Sequence, residues 1–196
     1  MDAARDLILE GGIDALSMRA VAERVGVSAT ALYHYFPSKQ DMVERVVRSA
    51  FERFDATLRD AMAPHPSGTM DRIRAVGEAY IRFAMEHEAY FRVIFSNTTP
   101  HPQTLEDLPG GGGYPVLRKA ITDAIDAGAM RAADPDVVAV YLWALVHGLV
   151  TLYLACRISD QECEDGHLPA DPQELFDGFG DIIRHGLAAA GKDVSL

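Results

Sequence analysis

The chain has 196 residues, 48% hydrophobic, 24% charged and 8% aromatic, with only two cysteines, Cys156 and Cys163; this supports one sizeable core and excludes a disordered chain or a disulfide scaffold. Eighteen basic against 29 acidic side chains give a net charge of -11, which for the chain as a whole argues against a polyanionic partner. The sum hides an asymmetry: residues 1–50 carry -1, with Arg5, Arg19, Arg24, Lys39, Arg45 and Arg48 against seven acids, and the remainder carries -10.

The first fifty residues read as three short helices and the start of a fourth. In the second, Met18, Val21, Ala22 and Val25 form one apolar stripe at helical spacing, with Ser17 placed as its N-cap. Gly26 stops it, Val27 is expected to plug the corner, and Ser28 caps a third helix running through Leu32 and Phe36. Two helices joined by a short glycine-containing turn make a helix-turn-helix unit. Pro37 ends the third helix, and Ser38 followed by Asp41 resembles a capping box for a long fourth one, in which Met42, Val46, Ala50, Phe54 and Leu58 keep an i+4 beat until the breaker at 63–68.

Ile73, Val76, Gly77, Tyr80, Ile81 and Ala84 mark a fifth helix, followed by the aromatic-rich segment AYFRVIF at 89–95, to which periodicity assigns no type. Residues 97–113, with three prolines and four consecutive glycines, read as a connection or flap. Leu117, Ile121, Ala124 and Ile125 give another helix, closed near Gly128. Asp134-Pro135 and Asp171-Pro172 each pair an N-cap acid with a proline at the first helical position and should open the last two long helices. No alternating strand pattern occurs, so the expected fold is all-α.

Residues 137–156 carry no formal charge and are long enough to span a bilayer. His147 near the middle, Tyr141, Thr151 and Tyr153 within the run, and the lack of a basic flank favour a helix covered by protein instead: one face by its own domain, another by a partner subunit. The two last helices, with small residues at Gly148, Gly178, Gly180 and Gly186, are expected to form a four-helix dimer interface that includes Gly148, Phe176, Phe179 and Ile183.

The third helix, ATALYHYF, places Ala29 and Thr30 in its first turn, where a recognition helix meets base edges, with Tyr33, Tyr35 and Lys39 further on. The stretch GIDALSMRAVAERVGVSATALYHYFPSKQDMVERV resembles the DNA-binding domain of the TetR (tetracycline repressor) family, most specifically in VGVSATALYHYFPSKQDM, where Gly26, Leu32, Tyr33, Phe36 and Lys39 stand at the family's characteristic places. The resemblance implies that Ser28, Tyr33, Tyr35 and Lys39 contact phosphates, that Ala29 and Thr30 contact bases, and that Ser17 with Arg19 opens the supporting helix, which makes these eight the expected DNA-binding residues. The chain departs from that pattern at its start: Arg5 is the sole early base, in place of a basic arm, and only ten residues precede Gly11.

FRVIFS at 91–96 and WALVHGL at 143–149 resemble the subgroup whose C-terminal domain is named for a Trp-His-Gly signature, which implies a dimerising half with a small-molecule pocket. Phe83, Tyr90, Phe91, Phe95, Trp143, His147 and Tyr153 supply apolar walls with polar tips suited to a largely apolar effector, although for any single aromatic a place in the core is the commoner role. A histidine in an apolar helix must find a partner, whether Tyr, a backbone carbonyl or a ligand.

No nucleophile motif, phosphate loop or HExxH sequence is present, so neither an enzyme nor a cofactor is expected. Glu162, Cys163, Glu164, Asp165 and His167 make one mixed cluster, read as a solvated loop rather than a metal site. The charged opening MDAARDLILEGG lacks the order of an export signal. The expectation is a cytoplasmic homodimer with a helix-turn-helix domain at 1–48 and a larger helical ligand-binding and dimerisation domain at 49–196. It would bind near-palindromic double-stranded DNA and a small-molecule effector, and no membrane. A small-molecule-binding helical protein with no DNA role is the alternative.

Overall fold

Helices form every regular element among the described residues, which are 1–95, 112–158, 173–178 and 180 of a computed structural model. They run in the order α1 (Asp2–Ala15), α2 (Met18–Val25), α3 (Ala29–Tyr35), α4 (Lys39–Met62), α5 (Met70–Glu86), α6 (Glu88–Phe95), α7 (Tyr114–Asp126) and α8 (Pro135–Ile158). Residues 173–178 and 180 are also helical. The all-α expectation holds, with the helix-turn-helix at the N-terminal end. Asp171-Pro172, Phe179, Ile183, Gly186 and the cluster at 162–167 lie outside the described residues.

The described residues form two compact units, the first drawn from Met1–Ala56 and Phe83–Gly112, the second from Thr57–Arg82 and Gly113–Leu196. In the first, α1 packs on α2 and α6, and α2 packs on α3. The helix α1 is interrupted where Gly12 adopts φ 72°, ψ -175°, a backbone region essentially confined to glycine. Ala4, Ile8, Leu16, Met18, Val21, Ala22 and Leu32 are buried, and α4 contributes Met42, Val46, Ala50 and Phe54 at its i+4 spacing.

One sequence expectation fails here, and one open segment gains a type. Val25 and Val27 remain 48% and 46% exposed, because Met18, Val21, Ala22 and Leu32 already fill the space between the helices. The untyped segment at 89–95 belongs to α6. Its aromatic and β-branched residues carry little helical propensity of their own, and tertiary packing decides their conformation. Phe91, Val93 and Ile94 are buried, and the Phe95 ring meets Phe91 and Phe54 at centroid distances of 4.8 and 6.0 Å.

In the second unit α7 packs against α8. The Asp134 carboxylate accepts from the Asp136 N–H at 2.9 Å, which caps α8 as its Asp-Pro start predicts. Arg118 and Tyr114 of α7 both donate to Asp136. Their hydrogen bonds, the arginine's first, hold its carboxyl down at about 2. Along α8, Val138, Ala139, Val146, Val150 and Leu154 are buried, whereas Val137, Val140, Tyr141, Leu145 and Leu152 are exposed. This helix is long and apolar enough to cross a membrane by length and composition alone. One face is covered by its own unit, as expected, and the opposite face is bare in the single chain.

Candidate nucleic-acid interface and effector-binding residues

Two serines and one glycine set the geometry of α2 and α3. The Ser17 hydroxyl oxygen accepts from the Ala20 N–H at 3.0 Å, and that of Ser28 accepts from the Ala31 N–H at 3.1 Å. Each hydroxyl keeps its own proton for donation to an acceptor such as a phosphate oxygen. Between them Gly26 sits in the left-handed region at φ 73°, ψ 32°; its N–H donates to the Glu23 carbonyl while Val27 donates to Ala22. That pair of bonds is the Schellman ending, which favours glycine for lack of a Cβ. Ser38 repeats the device for α4, accepting from the Asp41 N–H at 3.0 Å.

Burial of Leu32 leaves Thr30, Tyr33 and His34 exposed at i, i+3 and i+4, on one outer face of α3. Tyr33 and Tyr35 are 54% and 71% exposed, Ala29 is half-buried in the first turn, Arg19 is exposed on α2 and Lys39 is half-buried at the start of α4. The eight residues expected to meet DNA are therefore collected on α2, α3 and the entry to α4. Sequence reading missed His34, although its spacing from Thr30 was available to find it.

Three of the six cations in this region are committed internally. Arg24 makes a two-pronged pair with Glu10 at 2.9 and 2.8 Å, and Arg45 meets Asp41 at 3.0 Å. Arg5 reaches Asp2 and Asp6 at 3.0 and 2.6 Å and stacks on Tyr90, 4.6 Å from the ring centroid. The sole early base is thus spent within its own unit.

The seven residues expected to line a pocket fall into two sets. Phe83, Tyr90, Phe91 and Phe95 belong to the first unit. Phe83 and Phe91 are core side chains there, Phe83 with its ring edge-on to Phe54 at 5.1 Å. The Tyr90 ring lies near both the Arg5 and Arg53 guanidiniums, and its hydroxyl donates to Asp2 at 3.3 Å.

Trp143, His147 and Tyr153 belong to the second unit, each half-buried on α8. Trp143 and His147, one turn apart, converge on Tyr80 of α5: the Tyr80 hydroxyl and His147 Nδ1 are hydrogen-bonded at 2.7 Å, and Trp143 Nε1 donates to the same oxygen at 3.4 Å. Burial pushes the phenol up and the imidazole down, so at neutral pH a protonated phenol faces a neutral ring. Of the three partners the sequence left open for His147, Tyr is one it has. Sequence reading placed Tyr80 on a helix but not in this cluster, because the contact is between distant segments.

Gly148 lies on α8 with nothing within 4 Å of where a Cβ would stand. Phe176, expected at a dimer interface, is engaged within the chain: a Cβ on Gly77 would stand 2.5 Å from its Cζ, and the adjacent Asp177 accepts from Arg74 at 2.9 Å. Among the described residues no group of three or more His, Cys, Asp or Glu is placed to hold a metal ion.

Comparison with known proteins gives the arrangement a family. The family described as "Bacterial regulatory proteins, tetR family" matches residues 1–46, and "Tetracyclin repressor-like, C-terminal domain" matches 73–179, over half of the chain. Among similar proteins, the HTH-type transcriptional repressor KstR of Rhodococcus jostii is 38% identical over 37% of this chain and 34% of its own length. The HTH-type transcriptional activator FasR of Mycolicibacterium smegmatis is 30% identical over 63% of this chain and 53% of its own length. The alignments thus span about a third and about half of these relatives. A solved structure of a protein with unknown function from Rhodococcus sp. RHA1 matches with a TM-score of 0.76 and 26% identity, covering 94% of this chain and 91% of that one. With an N-terminal helix-turn-helix and a matched C-terminal domain, the chain belongs to the TetR family of bacterial regulatory proteins.

Proposed function

We propose that this chain is a cytoplasmic one-component transcriptional repressor: a homodimer that holds a near-palindromic operator and releases it when a small, largely apolar ligand binds. The outer face of α3 carries the reading. A short helix set by a capped glycine turn presents Thr30, Tyr33 and His34 outward, in a family of regulators. Ser28, Tyr33, Tyr35 and Lys39 hold phosphates, Ala29 and Thr30 meet base edges, and Ser17 with Arg19 brings the start of the supporting helix to the DNA. Residues 1–48 form the DNA-binding domain and 49–196 the ligand-binding and dimerisation domain.

The exposed stripe of α8, from Val137 through Leu145 to Leu152, supports dimerisation, with Gly148 as an open position where a second copy's helix can come close. A two-fold dimer places two recognition helices about 34–36 Å apart, one helical turn of DNA, and thereby asks for a near-palindrome. The polar tips of Trp143 and His147, set in the uncharged run of α8 and meeting Tyr80, support a ligand role for the two α8 residues. A ligand that favours a dimer geometry unfit for the groove spacing weakens DNA binding, and DNA must weaken ligand binding by the same factor.

A mobility-shift titration on the DNA upstream of the chain's own gene tests the reading. Retardation that survives excess random duplex is the expected result. Loss of the complex to random duplex at equal concentration would favour a helical ligand-binding protein with no operator. Lys39→Ala should weaken binding to all sequences and flatten the salt dependence by about one unit of slope. Deleting the gene should raise transcription from the shared intergenic region; a fall would mark an activator.

A further inference from the structure

The helix α3 is made of Ala29, Thr30, Ala31, Leu32, Tyr33, His34 and Tyr35, and holds no Arg, Lys, Asn, Gln, Asp or Glu. The two-pronged pairings by which Arg or Lys identifies guanine, and Asn or Gln identifies adenine, are closed to it. What it offers the groove is different. Ala29 and Thr30 carry methyl groups at its tip, and Val27, which the sequence placed in the helix corner, stands 46% exposed at the same end. The hydroxyls of Thr30 and Tyr33 donate or accept with equal ease and discriminate little between bases. His34, on the same exposed face as Thr30, is the one ring with both a nitrogen donor and a nitrogen acceptor.

In the major groove the feature complementary to an apolar, methyl-bearing tip is the 5-methyl group of thymine. We infer that the chain identifies its operator half-sites chiefly by thymine methyls packed against Ala29, Thr30 and Val27, with His34 adding one hydrogen bond to a purine edge. Small side chains at the tip favour this by letting the α3 backbone lie close to the base pairs. The inference rests on the DNA-binding reading above and specifies its chemistry.

The test uses the full chain and duplexes enriched by it from a random-sequence library. The best duplex is remade with 2′-deoxyuridine in place of each thymidine in turn, a change that keeps base pairing and removes only the methyl. Each contacted thymine should cost about fourfold in affinity, the ordinary worth of one buried carbon, and every half-site should contain at least one. Thr30→Ser, which deletes the side-chain methyl and keeps the hydroxyl, should abolish the penalty at the thymine it touches. His34→Ala should relax the preference at one purine position, so that the enriched duplex and its single-base variants at that position bind alike. Enriched half-sites without thymine, or uridine duplexes that all bind as the parent does, would overturn the inference and leave the DNA-binding reading standing. A library that yields no enriched duplex would overturn both.

Discussion

Two exposed surfaces of this molecule, the outer face of α3 and the bare face of α8, differ in how they come to be exposed. The α3 face is short and polar-tipped, and its backbone is fixed locally by Ser17, Gly26 and Ser28. The α8 face is long and apolar, with Val137 at 66% and Leu152 at 59% exposure, and nothing local accounts for leaving such side chains in water. A contiguous apolar surface on a helix that buries one face in its own unit supports the proposed contact with a second copy. One surface is complete when the chain folds; the other, on the proposed reading, is completed by a second copy.

That contrast can be broken most severely at α8. Leu152→Glu places a charge on each side of the proposed two-fold interface, and burying unpaired charges costs several kcal/mol. The dimer dissociation constant should rise at least about a hundredfold on that cost. Light scattering at micromolar concentration should then report a monomer, and an unchanged dimer would remove α8 from the interface.

A smaller loss is expected behind the same helix. Tyr80→Phe leaves Trp143 Nε1 and His147 Nδ1 without their shared oxygen, at a cost of about 1–3 kcal/mol in thermal unfolding. Trp143 is the only tryptophan, so its emission should shift as well. Smaller again is Ser28→Ala, which removes the cap of α3 and should cost about 1 kcal/mol. Operator affinity should fall with it while the dimer persists, since the two surfaces are formed by different segments. Concurrent loss of dimer would mean they are not independent.

The smallest effect should come from Asp136→Asn. The wild-type carboxyl is held at about 2, below its ordinary 3.8, by Arg118 and Tyr114. Its contribution to stability is therefore present above pH 3.8 and lost as the pH falls towards 2. Exposure makes that contribution slight, and acid unfolding of the asparagine variant should lack this component between those limits. A variant with the same acid profile as the parent would assign the acid sensitivity elsewhere.

What could be read in the sequence follows the same divide. Capping serines, the glycine turn and the i+4 stripe of α4 are signals within a few residues, and all appear where the spacing put them. Val25 and Val27 were misplaced because the stripe says which residues can be buried, not whether room remains once Met18, Val21 and Leu32 are in. The segment at 89–95 resisted assignment because packing on α1, not propensity, makes it helical. Tyr80 was out of reach for another reason: its pairing with His147 joins positions 67 residues apart. Phe83 and Phe91 were offered both as pocket and as core, and in this structure both are buried side chains.

On the proposed reading, residues 17–39 dock the α3 face into duplex DNA as one half of a pair. Fluorescence anisotropy of a labelled fragment from the chain's own upstream region, titrated at several salt concentrations beside a scrambled duplex, tests it most directly. Saturation at two protomers per site, a steep loss of affinity with salt and clear preference over the scrambled sequence are the expected results. Equal affinity for both duplexes, or no binding to either at low salt, would contradict it.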